Sequence, residues 1–161
     1  MQPIEYKILA KDKLAEIKPL WEELNLIHLD DSVYFKEHYA AFSFEKRSAG
    51  WLNLSEECFH LLIAATKESG PVGYCVSTID TTGKGEIDSL FVRSVFRQQG
   101  IGKTLSEKSL EWLQENRCNP IRLTVSYGHE SVFGFYQRLG FYPRLITLEL
   151  KDNNSLPTNA E

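Results

Sequence analysis

The 161-residue sequence is poor in cysteine, and its three thiols follow no paired pattern. Cys58, Cys75 and Cys118 are odd in number, far apart and outside any CxxC or Cys/His ligand spacing. Disulfide-rich secreted domains and zinc sites both need such spacing. The sequence therefore predicts no disulfide framework and no metal, and reduced thiols indicate a cytoplasmic protein.

Long apolar runs and a strong charge of one sign are also missing. No stretch approaches the ~20 apolar residues of a membrane span, and no basic start followed by an apolar run marks a secretory leader. The formal net charge is −4, from 18 basic and 22 acidic residues, which disfavours binding to nucleic-acid phosphates or anionic membranes. We therefore expect no nucleic-acid or membrane partner, and a mild preference for a cationic substrate.

The composition that remains is that of a folded globular protein, with 42% hydrophobic and 25% charged residues. The length fits one domain by the usual prior of roughly 100 to 200 residues. We expect a single domain over residues 1–150. The polar residues 151–161 are predicted to be a disordered tail.

Hydrophobic periodicity predicts the order β-α-α-β-β-β-α-β-α-β, an α/β domain around a mixed sheet. Asp12 is expected to cap the first helix and Asp30 or Asp31 the second, while Pro19 should kink or divide the first. The fourth and fifth strands are joined through a helix of some fifteen residues, which predicts a parallel crossover. The strands are expected at 4–9, 58–66, 72–79, 86–93, 121–126 and 145–150. The helix after the glycine turn is expected to carry Ile101 to Leu113 and to stop before Asn119 and Pro120, and a short helix is expected at 131–139.

The most informative segment runs from Glu86 to Lys103, where a strand leads into a glycine-rich turn that opens a helix. Gly100 and Gly102 let the backbone adopt positive φ and approach a ligand. The free N–H groups of the helix's first turn favour a phosphate, and Arg97 and Lys103 add positive charge. The segment therefore predicts an anion-binding site.

Two common phosphate-binding patterns do not fit this segment. A Walker A loop requires a glycine where this chain has Arg97. A dinucleotide-binding GxGxxG fingerprint fits Gly100 and Gly102 but meets Leu105 at its third glycine. Both of these readings are excluded by spacing.

The pattern Arg97-x-x-Gly100-x-Gly102, directly after an acidic strand, resembles the pyrophosphate motif of the GNAT superfamily of N-acetyltransferases. A second match lies downstream, where residues 132–141, with Tyr136 and the final Gly-Phe pair, resemble the family's tyrosine-containing element. The two motifs occur in the family's order, and the resemblance extends over residues 4–150. It implies a mixed, mostly antiparallel sheet with one parallel, splayed strand pair, flanked by helices.

The resemblance implies acetyl-CoA as co-substrate, bound between strands 86–93 and 121–126. The family's pantetheine arm pairs with the backbone of the first of these strands, which corresponds here to Leu90, Phe91 and Val92. The family's pyrophosphate loop corresponds to Arg97, Gln98, Gln99, Gly100, Ile101, Gly102 and Lys103.

Catalytic roles are also implied. Glu86 occupies the position of the general base used by some members, and Asp88 is its rival. Strand alternation places both on one face together with Leu90 and Val92. Tyr136 matches the tyrosine that protonates the departing thiolate, and a backbone amide near Phe91 would polarise the thioester carbonyl. Either carboxylate also fits a solvent-facing strand residue, and Tyr136 a half-buried aromatic.

One departure from the family pattern is His129, which stands seven residues before Tyr136, where an asparagine is frequent. It is a candidate for a pantetheine contact, for a catalytic replacement or for a cap of the short helix.

The resulting prediction is an acetyl-CoA-dependent N-acetyltransferase acting on a small-molecule or peptide primary amine by direct attack. The alternative is a non-catalytic CoA-binding sensor or scaffold. A homodimer is common in the family.

Overall fold

A computed structural model describes residues 2–152, which form one five-stranded sheet in the order β1-β2-β3-β4-β5. The first four strands pair antiparallel, and β4 pairs parallel with β5. The predicted mixed, mostly antiparallel sheet with one parallel pair is therefore confirmed. The strands are β1 (Glu5–Leu9), β2 (Phe59–Thr66), β3 (Gly70–Ile79), β4 (Gly85–Val92) and β5 (Ile121–Arg122).

Five α-helices flank the sheet: α1 (Lys18–Asp31), α2 (Lys36–Ala41), α3 (Phe44–Leu52), α4 (Ile101–Glu115) and α5 (Phe133–Arg138). Pro19 lies in the first turn of α1, where its missing N–H costs no hydrogen bond. A 3₁₀ segment, Lys11–Ile17, precedes it, so the proline divides the helical region as expected. The predicted second helix is two helices, and Ser43 caps the later one by accepting from the Lys46 N–H.

The sheet separates two apolar clusters. Every residue of β2 is buried, because both faces of this strand are covered. On one face α1 and α3 pack Leu20 and Trp51 against the sheet. On the other face α4 packs Leu105 and Leu113. The site described below lies where these two layers meet at β4.

A β-bulge in β4 changes which face its side chains occupy. Val76 of β3 pairs with Ser89 but Ser77 pairs with Ile87, which leaves Asp88 without a partner. Ile87 packs in the α4 layer and Phe91 in the α1 layer, although a regular strand would put them on one face.

The prediction that Glu86 and Asp88 share a face with Leu90 and Val92 is therefore wrong. Leu90 and Val92 pack with α4, and Asp88 contacts α3.

Four further local predictions are wrong. Asp12 does not cap the first helical segment, whose N-cap is Ala10, and Asp30 and Asp31 end α1 rather than cap α2. The fifth strand ends at Arg122, because β5 diverges from β4 there. Residues 145–150 form no strand, since no sheet edge pairs with them in the described chain. Most of the predicted tail, residues 153–161, lies outside the described residues.

Between residues 2 and 152, no helix is long and apolar enough to cross a membrane. The same part of the chain holds no group of three or more His, Cys, Asp or Glu side chains placed to ligate a metal.

Candidate functional site

A cleft opens where β4 and β5 separate. The two strands pair only at Gly85 with Ile121 and at Glu86 with Arg122. Beyond these pairs, the edge of β4 that faces β5 has no main-chain partner from a strand in the described chain. The cavity there has a volume of about 930 Å³ and is lined by β4, by residues 123–126, which follow β5, and by residues from all five α-helices.

The N-terminus of α4 forms one end of this cleft. Gly100 is the N-cap residue and has φ +78°, in the left-handed region that favours glycine. Its carbonyl accepts from the Thr104 N–H at 2.9 Å, so the N–H groups of residues 101–103 have no helical acceptor. These donors and the helix dipole suit a phosphate group.

Gly102 plays a different part from Gly100. It lies in the first turn of α4 without positive φ, and a Cβ atom there would come within 3.7 Å of Phe135 and 3.8 Å of Val92. These are ordinary contacts, so the fold itself accepts a side chain at Gly102. The bare backbone instead keeps the cleft open beside the free N–H groups.

Two cations flank the same turn. The Arg97 Nε donates to the Val92 carbonyl at 2.8 Å, and its guanidinium lies 5.5 Å from the centroid of the Phe91 ring. Lys103 is well exposed and pairs only loosely with Glu107, at 3.7 Å. Both side chains line the cleft, and both are placed to neutralise a bound anion.

Glu86 is a half-buried carboxyl in the cleft wall. Burial raises its pKa, and the nearby Asp88 carboxylate raises it further, against the opposing charges of Arg122 and Arg47. Its nearest hydrogen-bond donor is the Thr124 hydroxyl, at 3.5 Å. A weakly held carboxylate with a raised pKa has the properties of a general base.

Asp88 has different surroundings, because the bulge turns it towards α3. One carboxylate oxygen accepts from the Arg47 guanidinium at 2.6 Å and the other from the Trp51 indole N–H at 2.7 Å. The same guanidinium lies over the Trp51 ring, 4.6 Å from its centroid. Both oxygens of Asp88 are therefore already engaged within the protein.

Tyr136 reaches the cleft from α5. Its ring packs edge-on against Phe135, with 5.1 Å between centroids, and burial raises its pKa well above the ordinary value. The hydroxyl has no hydrogen-bond partner among residues 2–152. A phenol of this kind stays protonated at neutral pH and has its proton available to a ligand.

His129 follows β5 and packs against the end of α1. Its Nδ1 lies 2.5 Å from a carboxylate oxygen of Asp31, and its ring meets the His28 ring edge-on at 5.2 Å. Burial lowers the pKa of His28 to about 4, with a further contribution from His129, so His28 is neutral near pH 7. Close by, the Tyr39 hydroxyl donates to Ser126 at 2.8 Å.

The cleft brings together nearly all of the predicted site residues. Of the fourteen, only Gln99 does not line it, and its side chain turns back towards the Val95 carbonyl at 3.5 Å. The thirteen that do are Glu86, Asp88, Leu90, Phe91, Val92, Arg97, Gln98, Gly100, Ile101, Gly102, Lys103, His129 and Tyr136.

Several other lining residues were not predicted, because no sequence motif marks the N-terminal helices or the end of the segment after β5, where they lie. Their aromatic and charged types were the available signal. They include His28, Tyr39, Arg47 and Ser126.

Gly128 was also missed. It has φ +100°, and a Cβ there would lie 2.1 Å from the Asp31 carbonyl oxygen. Only glycine therefore lets the loop after β5 approach the end of α1 and place His129 beside Asp31.

A parallel strand pair that splays beside a helix N-terminus, with Glu86 and Tyr136 lining the same cleft, is the arrangement expected of a CoA-dependent acyltransferase. Comparison with known proteins agrees. The family model "Acetyltransferase (GNAT) family" matches residues 21–141, and the chain belongs to that family. The resemblance seen in the sequence is thereby confirmed.

Three similar proteins show how far the likeness extends along the chain. An uncharacterised N-acetyltransferase of Methanocaldococcus jannaschii is 32% identical over 77 residues, 44% of this chain and 34% of that protein, so the match spans only a third of the relative's length. A GCN5-related N-acetyltransferase from Ralstonia eutropha JMP134 superposes with a TM-score of 0.73 at 16% identity, covering 92% of this chain and 99% of that one. An aminoglycoside N-acetyltransferase in complex with CoA gives 0.67 at 16% identity, covering 95% and 97%. The two structures establish the shared fold.

Proposed function

We propose that this acetyltransferase moves an acetyl group from acetyl-CoA to a primary amine by direct attack. The observation that carries the proposal is the cleft, where free N–H groups of α4, an unpaired edge of β4, Glu86 and Tyr136 line one cavity. Its volume, about 930 Å³, suits a ligand of cofactor size with an acceptor beside it.

The cofactor end is assigned by its chemistry. The pyrophosphate is proposed to lie on the N–H groups of residues 101–103, with Arg97 and Lys103 adding charge. The unpaired edge of β4 at residues 90–92 offers N–H and C=O groups to the amides of the pantetheine arm. A neighbour with the same fold was solved in complex with CoA, which supports CoA as the ligand of the cleft.

Proton transfer is assigned to two side chains. Bound acetyl-CoA supplies a thioester whose carbonyl carbon accepts the amine lone pair while the C–S bond breaks. Glu86 takes a proton from the ammonium form of the acceptor, directly or through water, since an alkylamine with a pKa near ~10 is mostly protonated at neutral pH. Tyr136 gives its proton to the departing sulfur, and the proton lost by the acetylated nitrogen restores the phenol.

Glu86 is preferred over Asp88 as the base because the two carboxylates differ in the hydrogen bonds that they already accept. Both carboxylate oxygens of Asp88 already accept hydrogen bonds, from Arg47 and from Trp51, whereas Glu86 has one long hydrogen bond, from Thr124. His129 is proposed to contact the cofactor through Nε2, because Asp31 holds Nδ1. For the acceptor we propose only its chemical class, a primary amine on a small molecule or a peptide.

Acetyl transfer itself is the test. Purified protein is incubated with acetyl-CoA and a panel of amines that includes a polyamine, an aminoglycoside and peptides with free N-termini or lysines, and products are identified by mass. Tyr136→Phe is expected to lower kcat by about 10²-fold or more while acetyl-CoA affinity, measured by calorimetry, changes less than about twofold. Tyr127→Phe, at an exposed tyrosine outside the cleft, is the matched control.

The alternatives give different results. Tight acetyl-CoA binding without transfer to any amine would favour the non-catalytic CoA-binding module. An equal kcat for Tyr136→Phe would remove the acid role of the phenol. Absence of acetyl-CoA binding by folded protein would overturn the proposed function entirely.

A further inference from the structure

On its α1 side, the cleft is lined mainly by apolar and aromatic side chains. Trp21, Leu24 and His28 are spaced three and four residues apart in α1, so they lie on one face of the helix, and all three line the cavity. Tyr39, in α2, and Phe42, directly after it, continue this surface. We call these five residues the aromatic wall, since four of them carry rings.

The rings of the aromatic wall pack against one another. The Trp21 and Phe42 rings meet edge-on with 5.7 Å between centroids, and the His28 and Tyr39 rings lie 5.6 Å apart. Burial lowers the pKa of His28 to about 4, so its imidazole is neutral near pH 7. The aromatic wall therefore offers a ligand apolar contact area without charge.

Polar groups around this wall are already engaged within the protein. The Asn25 side-chain amide donates to the main-chain carbonyls of Tyr39 and Phe42, at 2.9 and 3.3 Å. The Tyr39 hydroxyl donates to Ser126, and both carboxylate oxygens of Asp88 accept from α3. A polar or peptide-like body would give up its hydrogen bonds to water here and find few replacements.

The charges that line the cleft are unequal in sign. Among the described lining residues, the carboxylates are Glu86 and Asp88, against four cations. The cations are Arg47, Arg97, Lys103 and Arg138. Asp88 is paired with Arg47 at 2.6 Å, which leaves Glu86 as the carboxylate available to an ammonium group.

The acids of α1 nearest to the site do not add to this charge. Glu23 accepts from the Arg93 Nε at 2.9 Å, and Asp31 lies 2.5 Å from Nδ1 of His129. Neither acid lines the cavity. The cleft thus accommodates one ammonium group, beside Glu86, and no second one along the aromatic wall.

We propose that the acceptor is a small primary monoamine with an apolar body, such as phenethylamine, and not a polyamine or an aminoglycoside. The inference rests on the proposed function, because it takes Glu86 as the base that the ammonium group must reach. The apolar body lies against Trp21 and Phe42, while the nitrogen loses a proton to Glu86, forms the N–C bond and displaces the CoA sulfur as the C–S bond breaks.

A second ammonium group on the acceptor would meet the aromatic wall. It would lose water there without gaining a carboxylate, which is costly. Cation–π contact with the rings recovers only part of this cost. The cleft therefore selects against each additional positive charge on the acceptor.

A pair of amines of equal length tests the charge argument. Hexylamine and the diamine cadaverine differ at one end, where a methyl group stands in place of an ammonium group. With saturating acetyl-CoA, kcat/KM measured from CoA release should be at least about tenfold higher for hexylamine. An equal or higher kcat/KM for cadaverine would overturn the inference.

His38→Glu should weaken this preference. His38 is exposed, lines the cleft and stacks on Phe42 at 5.2 Å, so a glutamate there puts a carboxylate beside the aromatic wall with little risk to the fold. The hexylamine-to-cadaverine ratio of kcat/KM should fall about three- to tenfold, while the neutral control His38→Gln should keep a ratio near that of the wild type. The same ratio in both variants would contradict the charge argument.

Phe42→Ala tests the apolar contact. It should raise the KM for phenethylamine about tenfold, with a smaller change in kcat, and leave the KM for acetyl-CoA within about twofold of wild type. An unchanged KM for phenethylamine would show that the acceptor does not lie against the aromatic wall.

Binding without turnover separates this inference from the proposed function. Each amine is titrated calorimetrically into protein saturated with CoA, which carries no acetyl group to transfer. Tighter binding of hexylamine supports the inference, whereas tighter binding of cadaverine, or no binding of either amine, overturns it. Tighter binding of hexylamine without CoA release from acetyl-CoA would contradict the proposed acetyl transfer and leave the binding preference standing.

Discussion

Glu86 and Asp88 show how two carboxyls two residues apart on one strand come to have different surroundings. The bulge at Asp88 directs it to Arg47 and Trp51, while Glu86 is left half-buried with one long hydrogen bond. Neither the bulge nor the partners on α3 follow from the strand's own sequence. Sequence analysis therefore identified both acids but had no basis for choosing between them.

The raised pKa of Glu86 connects stability and activity. An unfolded Glu ionises at its ordinary pKa of 4.5, and the folded one at a higher pH. The folded state therefore holds the proton more tightly, and the free energy of unfolding falls as pH rises from 4.5 through the raised pKa. At pH 7 the charged Glu86 is destabilising.

Glu86→Gln should thus raise the melting temperature at pH 7 by about 1–3 °C, with the gain disappearing at pH 4. The same change should lower kcat by about 10²-fold, since the amide cannot accept the proton. Calorimetric melting at the two pH values and amine acetylation at pH 7 are the measurements. A variant that is active and no more stable at pH 7 would contradict the assignment.

Asp88→Ala should lower the stability of the fold. It removes the carboxylate acceptor of the Arg47 guanidinium, which keeps the Asp88 main-chain carbonyl at 2.9 Å, and it removes the acceptor of the Trp51 indole N–H. The side chains of all three residues are largely covered. The expected loss in the free energy of unfolding is about 2–3 kcal/mol. This is at or below the lower end of the loss seen when one partner of a fully buried ion pair is removed, because the Arg47 side chain is 27% exposed.

Urea denaturation measures this loss, and Asp88→Asn, which keeps an acceptor for Trp51, is the control expected to lose less. Unchanged stability with abolished turnover would instead give Asp88 the catalytic role.

At the scale of elements, the start of α4 holds two glycines that differ in backbone conformation and surroundings. Gly100 is required by its φ of +78°, whereas Gly102 lies in the helix with room for a methyl group. Gly100→Ala should therefore destabilise the protein by about 1–2 kcal/mol.

Gly102→Ala should leave stability unchanged or raise it by up to about 1 kcal/mol, because alanine favours the helix. It should also leave acetyl-CoA affinity within about threefold of wild type, because the motif that this segment resembles takes glycine or alanine at this position. Gly102→Glu should instead weaken binding about tenfold or more, because it places bulk and negative charge beside the free N–H groups. Urea denaturation and calorimetric titration separate the effects on stability and on binding. Wild-type affinity in Gly102→Glu would contradict a phosphate seated against α4.

Elements with strong local signals were predicted well, and those set by distant contacts were not. β2, β3, β4 and α4 were placed within about two residues, because hydrophobic runs, turn residues and the glycine loop are encoded locally. β5 was predicted too long because its separation from β4 is a tertiary effect. The strand at 145–150 has the right alternation but no partner within the described chain.

At the scale of the whole molecule, the cleft lies between the two helical layers, which pack on opposite faces of the sheet. α1 and α3 cover one face and α4 the other, and the cofactor is proposed to bridge them where β4 and β5 are no longer paired. The sequence motifs marked the α4 side of this cleft, which explains why thirteen of fourteen predicted residues line it. No motif marks the residues on the other side, which are His28 and Asp31 of α1 and Tyr39 of α2. Only the folded structure shows that they lie there.

Because the cofactor is proposed to contact both layers, acetyl-CoA should raise the free energy of unfolding of the whole domain. A ligand that binds only the folded state at 100 times its dissociation constant adds about 2.7 kcal/mol to the free energy of unfolding. For a chain of this length that corresponds to a rise in melting temperature of about 5–11 °C.

The rise should persist in Tyr136→Phe, which keeps the binding surface, and vanish in Gly102→Glu, which places bulk and negative charge against the helix N-terminus. Thermal melting of the three proteins with and without acetyl-CoA measures it. A shift that survives in Gly102→Glu would locate the cofactor elsewhere. A shift lost in Tyr136→Phe would show that the phenol holds the cofactor, because catalysis plays no part in thermal melting.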